Sequence, residues 1–245
     1  PWGLARDFGQ QDGTGIKNVL RRLVSRLLGW IVPRVLRSGP RAGAWRSERV
    51  EAAGEQKLFH EILVTLTGAP SGWRAVEQAA EIARREGGAL RGLHVLANGS
   101  EKARQYGQQV LDDFYERARE LGVMATGRIV QGDVVEKILS DARWADLVVI
   151  NQRREQGQVA ERPLGTIFQG VATRVARPIL AVPGSPSLDL QRVALAYDAS
   201  PKSREALYVF RYILSHWGLS GVILSSGETG ASEKDMSEAE AYVRE

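Results

Sequence analysis

The chain has 245 residues, 43% of them hydrophobic, and a formal net charge of +4, a composition typical of a globular protein with room for one domain and part of another. It contains no cysteine, so disulfides, thiolate nucleophiles and cysteine-based metal sites are excluded. The histidines His60, His94 and His216 have no spacing that would gather two of them on one helical face, and we expect no metal site.

The basic charge lies in the first 57 residues, which carry eleven Lys and Arg against five Asp and Glu, a balance of +6 that leaves −2 for the rest. Apolar residues recur at helical spacing over 16–31, with Lys and Arg on the opposite arc. This predicts a basic amphipathic helix that packs on a neighbouring domain or partner, or lies on an anionic membrane surface. The longest uncharged apolar run, 27–33, is far shorter than the roughly 20 residues of a membrane span.

Beyond a polar linker over 38–56, strands and helices alternate through a domain expected over 58–184. The apolar patterns predict strands over 60–67, 89–96, 126–130, 146–151 and 179–182. The predicted helices cover 71–85, with Ser71 as N-cap, 101–121, 134–143 and the residues after Gly165. Five strands separated by helices indicate an α/β fold, a doubly wound five-stranded parallel sheet with its ligand site at the carboxyl ends of the strands.

The segment 145–184 predicts where in that fold an anion would bind. Two near-continuous apolar strands flank a charged loop and a Gly165-Thr166 step that opens the following helix. Backbone N–H groups and a hydroxyl at a helix N-terminus favour an anion such as phosphate.

The chain also repeats itself with a shift of 131 residues, which lays 61–76 over 192–207. We therefore expect an incomplete second copy of the domain over 191–245. Its predicted elements are a strand to Tyr197, a helix over 203–216, a strand over 222–224 and a capping box of Ser237 and Glu240. Because two strands leave their edges open, this copy must pack on the first domain, on another chain or on further sequence. Its early stop and the first residue, Pro1, predict a fragment of a longer protein.

Five short motifs occur in order along the first domain. They are the opening strand and turn at 62–68, the strand at 93–96, Gly132 and Asp133 before a helix, 145–150, and Gly165-Thr166 thirteen residues before Pro178. In this order they resemble the universal stress protein family, completely over 58–183 and as the first half of a second domain over 191–245. The resemblance implies an adenine-nucleotide α-hydrolase-like fold with sheet order 3-2-1-4-5. It also implies pairing through the last strand, as a homodimer or between tandem domains.

Some members of that family bind ATP, with an Asp after the first strand, an adenine contact after the His of the second strand, and a glycine-rich phosphate loop ending in Gly-Ser or Gly-Thr. The resemblance assigns nucleotide-binding positions to Thr67, Gly68, Val95, Gly132, Asn151, Arg154, Gly165 and Thr166, and to Asp198 in the second copy.

Those positions match the ATP-binding pattern only in part. Val95, Gly165 and Thr166 agree with it, whereas Thr67 replaces the Asp, and Asn151 and Arg154 replace glycines. We therefore expect no cofactor held in the family's usual way in the first domain. The alternative is ATP held by a rearranged loop in which a later glycine or loop arginines contact the phosphates. In the second copy Asp198 keeps the family's residue, although an Asp after a strand is also an ordinary helix cap.

The sequence offers no catalytic pair. Asp133 and Asp146 are typical of caps or turns, and the Thr166 hydroxyl has no histidine near it in the pattern. We therefore predict a non-catalytic, cytoplasmic regulatory module of the stress response that acts through domain pairing, with nucleotide sensing left open as a further role. The alternative is the cytosolic regulatory tail of a membrane transporter, with 16–31 as a juxtamembrane helix. Nucleic-acid binding is disfavoured because no aromatic stacking platform accompanies the basic leader.

Overall fold

The computed structural model describes residues 4–8, 57–152, 166–183, 190–226 and 230–244. These residues form two compact units, which we call the five-stranded unit (57–152 and 166–183) and the three-stranded unit (4–8, 190–226 and 230–244). Within the described ranges, no helix has the length and apolar character needed to span a membrane. The amphipathic helix predicted over 16–31 and the linker over 38–56 lie outside them, and so the membrane and transporter alternatives stay predictions.

The elements follow one another in this order. The strands are β1 (Leu4–Phe8), β2 (Glu61–Thr65), β3 (Ala89–Leu96), β4 (Met124–Gln131), β5 (Leu147–Gln152), β6 (Ile179–Pro183), β7 (Arg192–Ala196) and β8 (Ser220–Ser225). The helices are α1 (Trp73–Glu86), α2 (Glu101–Glu120), α3 (Val134–Ala142), α4 (Thr166–Ala172), α5 (Pro201–Trp217) and α6 (Glu233–Arg244).

The five-stranded unit is built on a parallel sheet of order β4-β3-β2-β5-β6. Numbered within the domain this is 3-2-1-4-5, so the predicted order is confirmed. One face packs on α3 and α4 through a core that includes Leu63, Ile138 and Val148. On the other face Gly92 of β3 leaves room for the ring of Phe114, since a Cβ there would lie 2.7 Å from it. Helices on both faces explain why the central strands are apolar almost throughout.

Two buried carboxylates fix the start of the central strand. Glu86, at the end of α1, accepts hydrogen bonds from the backbone N–H groups of Leu58 (3.0 Å) and Phe59 (3.2 Å). Asp146, just before β5, accepts them from His60 (2.9 Å) and Glu61 (2.8 Å). The four successive N–H groups that lead into β2 are thereby all paired.

Two local predictions for this unit need correction. Ser71 does not cap α1, because Pro70 begins a 3-10 turn over Pro70–Gly72 and Gly72 then precedes the helix with no side-chain cap. The strand predicted over 126–130 extends over Met124–Gln131, because β4 lies at the sheet edge and its polar, exposed positions hide its length in the sequence.

The three-stranded unit contains the sheet β1-β8-β7 with α5 and α6. Strands β7 and β8 are parallel, and β1 runs antiparallel along the other edge of β8. Its core gathers Leu195, Tyr197, Leu207, Phe210, Ile223, Met236 and Ala239. The predicted capping box at Ser237 is wrong, because Ser237 lies inside α6. Ser232 and Asp235 form the box instead, with Asp235 N donating to Ser232 Oγ (3.2 Å) and Ser232 N to Asp235 Oδ2 (3.1 Å).

Candidate ligand site at the carboxyl edge of the five-stranded sheet

The turn after β2 is closely packed and lies at this edge. Thr67 Oγ1 accepts a hydrogen bond from Ala69 N (3.3 Å), and the Thr67 carbonyl accepts one from the hydroxyl of Tyr106 (3.4 Å). Gly68 has φ +73°, and a Cβ on it would overlap Tyr106 Oη and lie 2.5 Å from Val110 Cγ2. The turn therefore needs glycine for its backbone angle and for its lack of a side chain.

Polar side chains from two strand ends meet beside this turn. Asn151, near the end of β5, donates from Nδ2 to Ser71 Oγ (3.3 Å). A Cβ on Gly72 would overlap Thr67 Oγ1 and lie 3.7 Å from Asn151 Nδ2. The structure thus brings the predicted site residues Thr67 and Asn151 together around Gly72. Asn151 Oδ1 is buried and has no hydrogen-bond partner among the described residues, which leaves an acceptor that a ligand donor could satisfy.

His94 and Val95, which are neighbours in β3, direct their side chains to opposite faces of the sheet. His94 is buried, and its Nδ1 lies 2.8 Å from the Leu66 carbonyl. Because a carbonyl only accepts, His94 carries its proton on Nδ1 and fixes β3 to the β2 turn. Val95 points to the other face and packs half-buried against the cluster on α3 and α4. The predicted adenine contact is therefore an apolar side chain at the rim of that face.

The end of β4 leads into α3 through Gly132 and Asp133. Gly132 has φ +139°, and a Cβ on it would lie 2.9 Å from Lys137 Cε. Asp133 caps α3 by accepting a hydrogen bond from Glu136 N (2.9 Å), as its position before the helix predicts. Lys137 therefore places a cationic side chain over the predicted site residue Gly132.

Most of the anion site predicted within 145–184 lies outside the described ranges. Arg154 and Gly165 lie outside them, and Thr166 is the first residue of α4, a helix of seven residues. The anion site predicted there stays a prediction.

Asp198, the predicted site residue of the second copy, shapes a turn in the three-stranded unit. Its Oδ1 accepts a hydrogen bond from Ser200 N (3.0 Å), and Ala199 between them has φ +59°. Burial alone would raise the pKa of the Asp198 carboxyl, but hydrogen bonds from Ser200 and Ser203 outweigh it and lower the pKa. The charged form of Asp198 is therefore part of the turn.

Sequence reasoning missed three contributors to these edges. Ser71 was assigned to the helix cap, whereas it bonds Asn151, and neither Tyr106 nor Lys137 was singled out. Tyr106 lies in α2, the helix that follows the strand of Val95, but no local sequence pattern shows that it contacts the β2 turn. In the part of the chain that is described, no three acidic or histidine side chains converge to hold a metal ion.

A comparison with protein-family models matches residues 58–183, just over half of the chain, to the universal stress protein family. The chain belongs to this family. The predicted membership and fold of residues 58–183 are thereby confirmed. The second copy over 191–245 and the roles of individual site residues stay predictions. A comparison with curated proteins found no match.

Solved universal stress proteins resemble the chain over about half of its length. One, in complex with cAMP, is 27% identical, with 52% of this chain and 99% of that one covered and a TM-score of 0.44. Another, from Burkholderia pseudomallei, is 26% identical, with 53% and 99% covered and a TM-score of 0.40. A third, from Arabidopsis thaliana with AMP bound, is 20% identical, with 50% and 90% covered and a TM-score of 0.41.

Proposed function

We propose that this universal stress protein is a non-catalytic regulatory module that works by pairing with a second copy along β6. The outer edge of β6 supports this proposal. Among the described strands β6 pairs with β5 alone, and Ile179, Leu180 and Ala181 are each only half-buried. An apolar strand with unpaired main-chain groups is an edge that proteins cover, and a second copy would cover it with an identical strand.

The non-catalytic part of the proposal rests on how the polar groups at the carboxyl edge are used. His94 holds the Leu66 carbonyl, Thr67 closes a turn and Asp133 caps a helix. In the described ranges these groups support backbone, and none of them places a general base against a nucleophile.

The pairing proposal predicts the effect of proline at Ala181. Val148 N donates to Pro178 O (3.0 Å), so by the alternation of a parallel ladder Leu180 and Val182 bond β5, while Ala181 directs its N–H outward. Ala181→Pro removes that outward donor and leaves the β5 ladder intact. We expect it to weaken self-association at least tenfold in sedimentation-equilibrium measurements over a concentration series.

Ala181→Ser is the matched control, because it changes the side chain and keeps the N–H. It should associate as the unmodified chain does. An unmodified chain that stays monomeric throughout the series, or an Ala181→Pro chain that associates as tightly as the serine control, would contradict pairing through β6.

We propose as a second function that the five-stranded unit senses an adenine nucleotide. The unpartnered Asn151 Oδ1 beside Thr67 supports it, because a ribose hydroxyl or an amino group could donate to this oxygen. Lys137 over Gly132 supplies positive charge at the same edge of the sheet, and Val95 offers an apolar contact.

Calorimetric titration with AMP, cAMP, ADP and ATP tests this second function. We expect micromolar binding of at least one of them, weakened at least tenfold in Asn151→Ala, which removes the acceptor. Asp198→Ala, at the position of the three-stranded unit that matches Thr67, should leave the affinity unchanged. Flat titrations with all four, or a loss confined to Asp198→Ala, would refute sensing at Asn151 without touching the pairing proposal.

A further inference from the structure

Strand β8 is built as an interior strand. Ile223 is fully buried in the core, Gly221 and Ser225 are buried, and Val222 and Leu224 are half-buried. Strands that are apolar on both faces belong inside a sheet, with a neighbour on each edge. One neighbour of β8 is β7, and the other edge needs a second strand.

The five-stranded unit shows which strand that position takes. Strand β7 pairs with β8 from Arg192↔Ser220 onward, and β2 pairs with β3 from Glu61↔Ala89 onward. Arg192 follows Glu61 by 131 residues, and Ser220 follows Ala89 by the same number. This is the shift of the sequence repeat, so β7 corresponds to β2 and β8 corresponds to β3. In the five-stranded unit the outer edge of β3 is covered by β4, which runs parallel to it. At the matching edge of β8 the structure places β1 from the start of the chain, running antiparallel.

We propose that the outer edge of β8 is a docking site for an extended peptide, and that the N-terminal segment Leu4–Phe8 occupies it in place of the strand that the repeat would supply. Five consecutive residues are in register, from Leu4↔Ser225 to Phe8↔Gly221. Recognition of this kind rests on main-chain hydrogen bonds, which give affinity to any segment that extends along the edge.

The ladder identifies the backbone groups involved. Ser220 N donates to Gln191 O (3.3 Å) and Tyr197 N to Leu224 O (2.8 Å), so even-numbered residues of β8 bond β7. Gly221, Ile223 and Ser225 therefore direct their N–H and C=O groups toward β1. Because Arg6 lies opposite Ile223, these two residues exchange both hydrogen bonds, while Asp7 directs its N–H away.

Residue-resolved hydrogen exchange on the full chain tests the proposal. In the unmodified chain the Ile223 amide should be protected as strongly as Leu224, which bonds β7. Arg6→Pro removes the inward donor, and we expect Ile223 to exchange at least tenfold faster. Arg6→Ala, which loses only the side chain, and Asp7→Pro, whose lost N–H faces outward, should keep the protection.

A peptide with the sequence of residues 1–10, added in excess to the Arg6→Pro chain, should restore protection of Ile223. Loss of protection at Leu224 together with Ile223 in Arg6→Pro alone would also support the proposal, because the sheet then depends on the docked strand. Rapid exchange of Ile223 in the unmodified chain, or equal protection in Arg6→Pro and Arg6→Ala, would overturn it. A peptide without effect on the exposed Ile223 amide would overturn the docking of free peptides.

Discussion

Asp146→Ala is expected to lower the free energy of unfolding of the five-stranded unit by about 3 kcal/mol. Asp146 is 4% exposed, and its side chain accepts hydrogen bonds from His60 N and Glu61 N. Alanine removes the carboxylate partner of both donors at the partly buried start of the central strand. Each unsatisfied buried group contributes roughly 1–3 kcal/mol to the loss.

Urea unfolding followed by circular dichroism measures this loss, and hydrogen exchange in β2 and β3 assigns the transition to the five-stranded unit. Asp146→Asn keeps one acceptor oxygen and should lie between alanine and the unmodified chain. Glu77→Ala, an exposed change on α1, should stay within about 0.5 kcal/mol. An Asp146→Ala chain as stable as Glu77→Ala would show that these two hydrogen bonds do not hold the strand.

Gly68→Ala is expected to destabilise the same unit by roughly 2–4 kcal/mol, the sum of backbone strain and overlap. Its φ of +73° is unfavourable for any residue with a Cβ, and the new methyl group would meet Tyr106 and Val110. The Tyr106 hydroxyl that contacts the Thr67 carbonyl would have to move, so the β2 turn would loosen as well.

Gly122→Ala separates the two causes. Gly122 has nearly the same angle, φ +68°, but nothing lies within 4 Å of a Cβ built there. Gly122→Ala should lower the free energy of unfolding by about 1–2 kcal/mol, which is the contribution of backbone strain alone. The excess in Gly68→Ala, read from the two urea midpoints, is then the packing term. Equal losses in the two variants would mean that Tyr106 and Val110 move aside freely.

The sequence predicted best the elements that are either capped by a neighbouring residue or largely buried. Helix α2 begins at Glu101 as expected, because Ser100 caps it by accepting a hydrogen bond from Ala103 N. Strand β3 was predicted to the residue, because it is apolar except at Arg91 and His94. In α6 two Ser-x-x-acid patterns competed, and the earlier one forms the cap because the helix already includes the later.

The carboxyl edge could be predicted as a location but not as a set of contacts. Parallel strands end at one edge, and the family resemblance assigned Thr67 and Asn151 to one ligand site there. The bond from Asn151 to Ser71 joins residues 80 apart, and the bond from Tyr106 to Thr67 joins residues 39 apart. Such pairs depend on how helices settle on the sheet, which no periodicity of the sequence encodes.

The pairing of β1 with β8 also determines when β1 can fold during synthesis. Ser220, the first residue of β8, follows Phe8 by 212 positions. At roughly 5–20 residues per second, the ribosome needs roughly 10–40 s to make the partner of a strand that has already emerged. The five-stranded unit lies between β1 and β8 in the chain, so it can fold before β1 has a partner strand. Of the described strands, β1 is therefore synthesised before all others and can pair only after the whole five-stranded unit has been made.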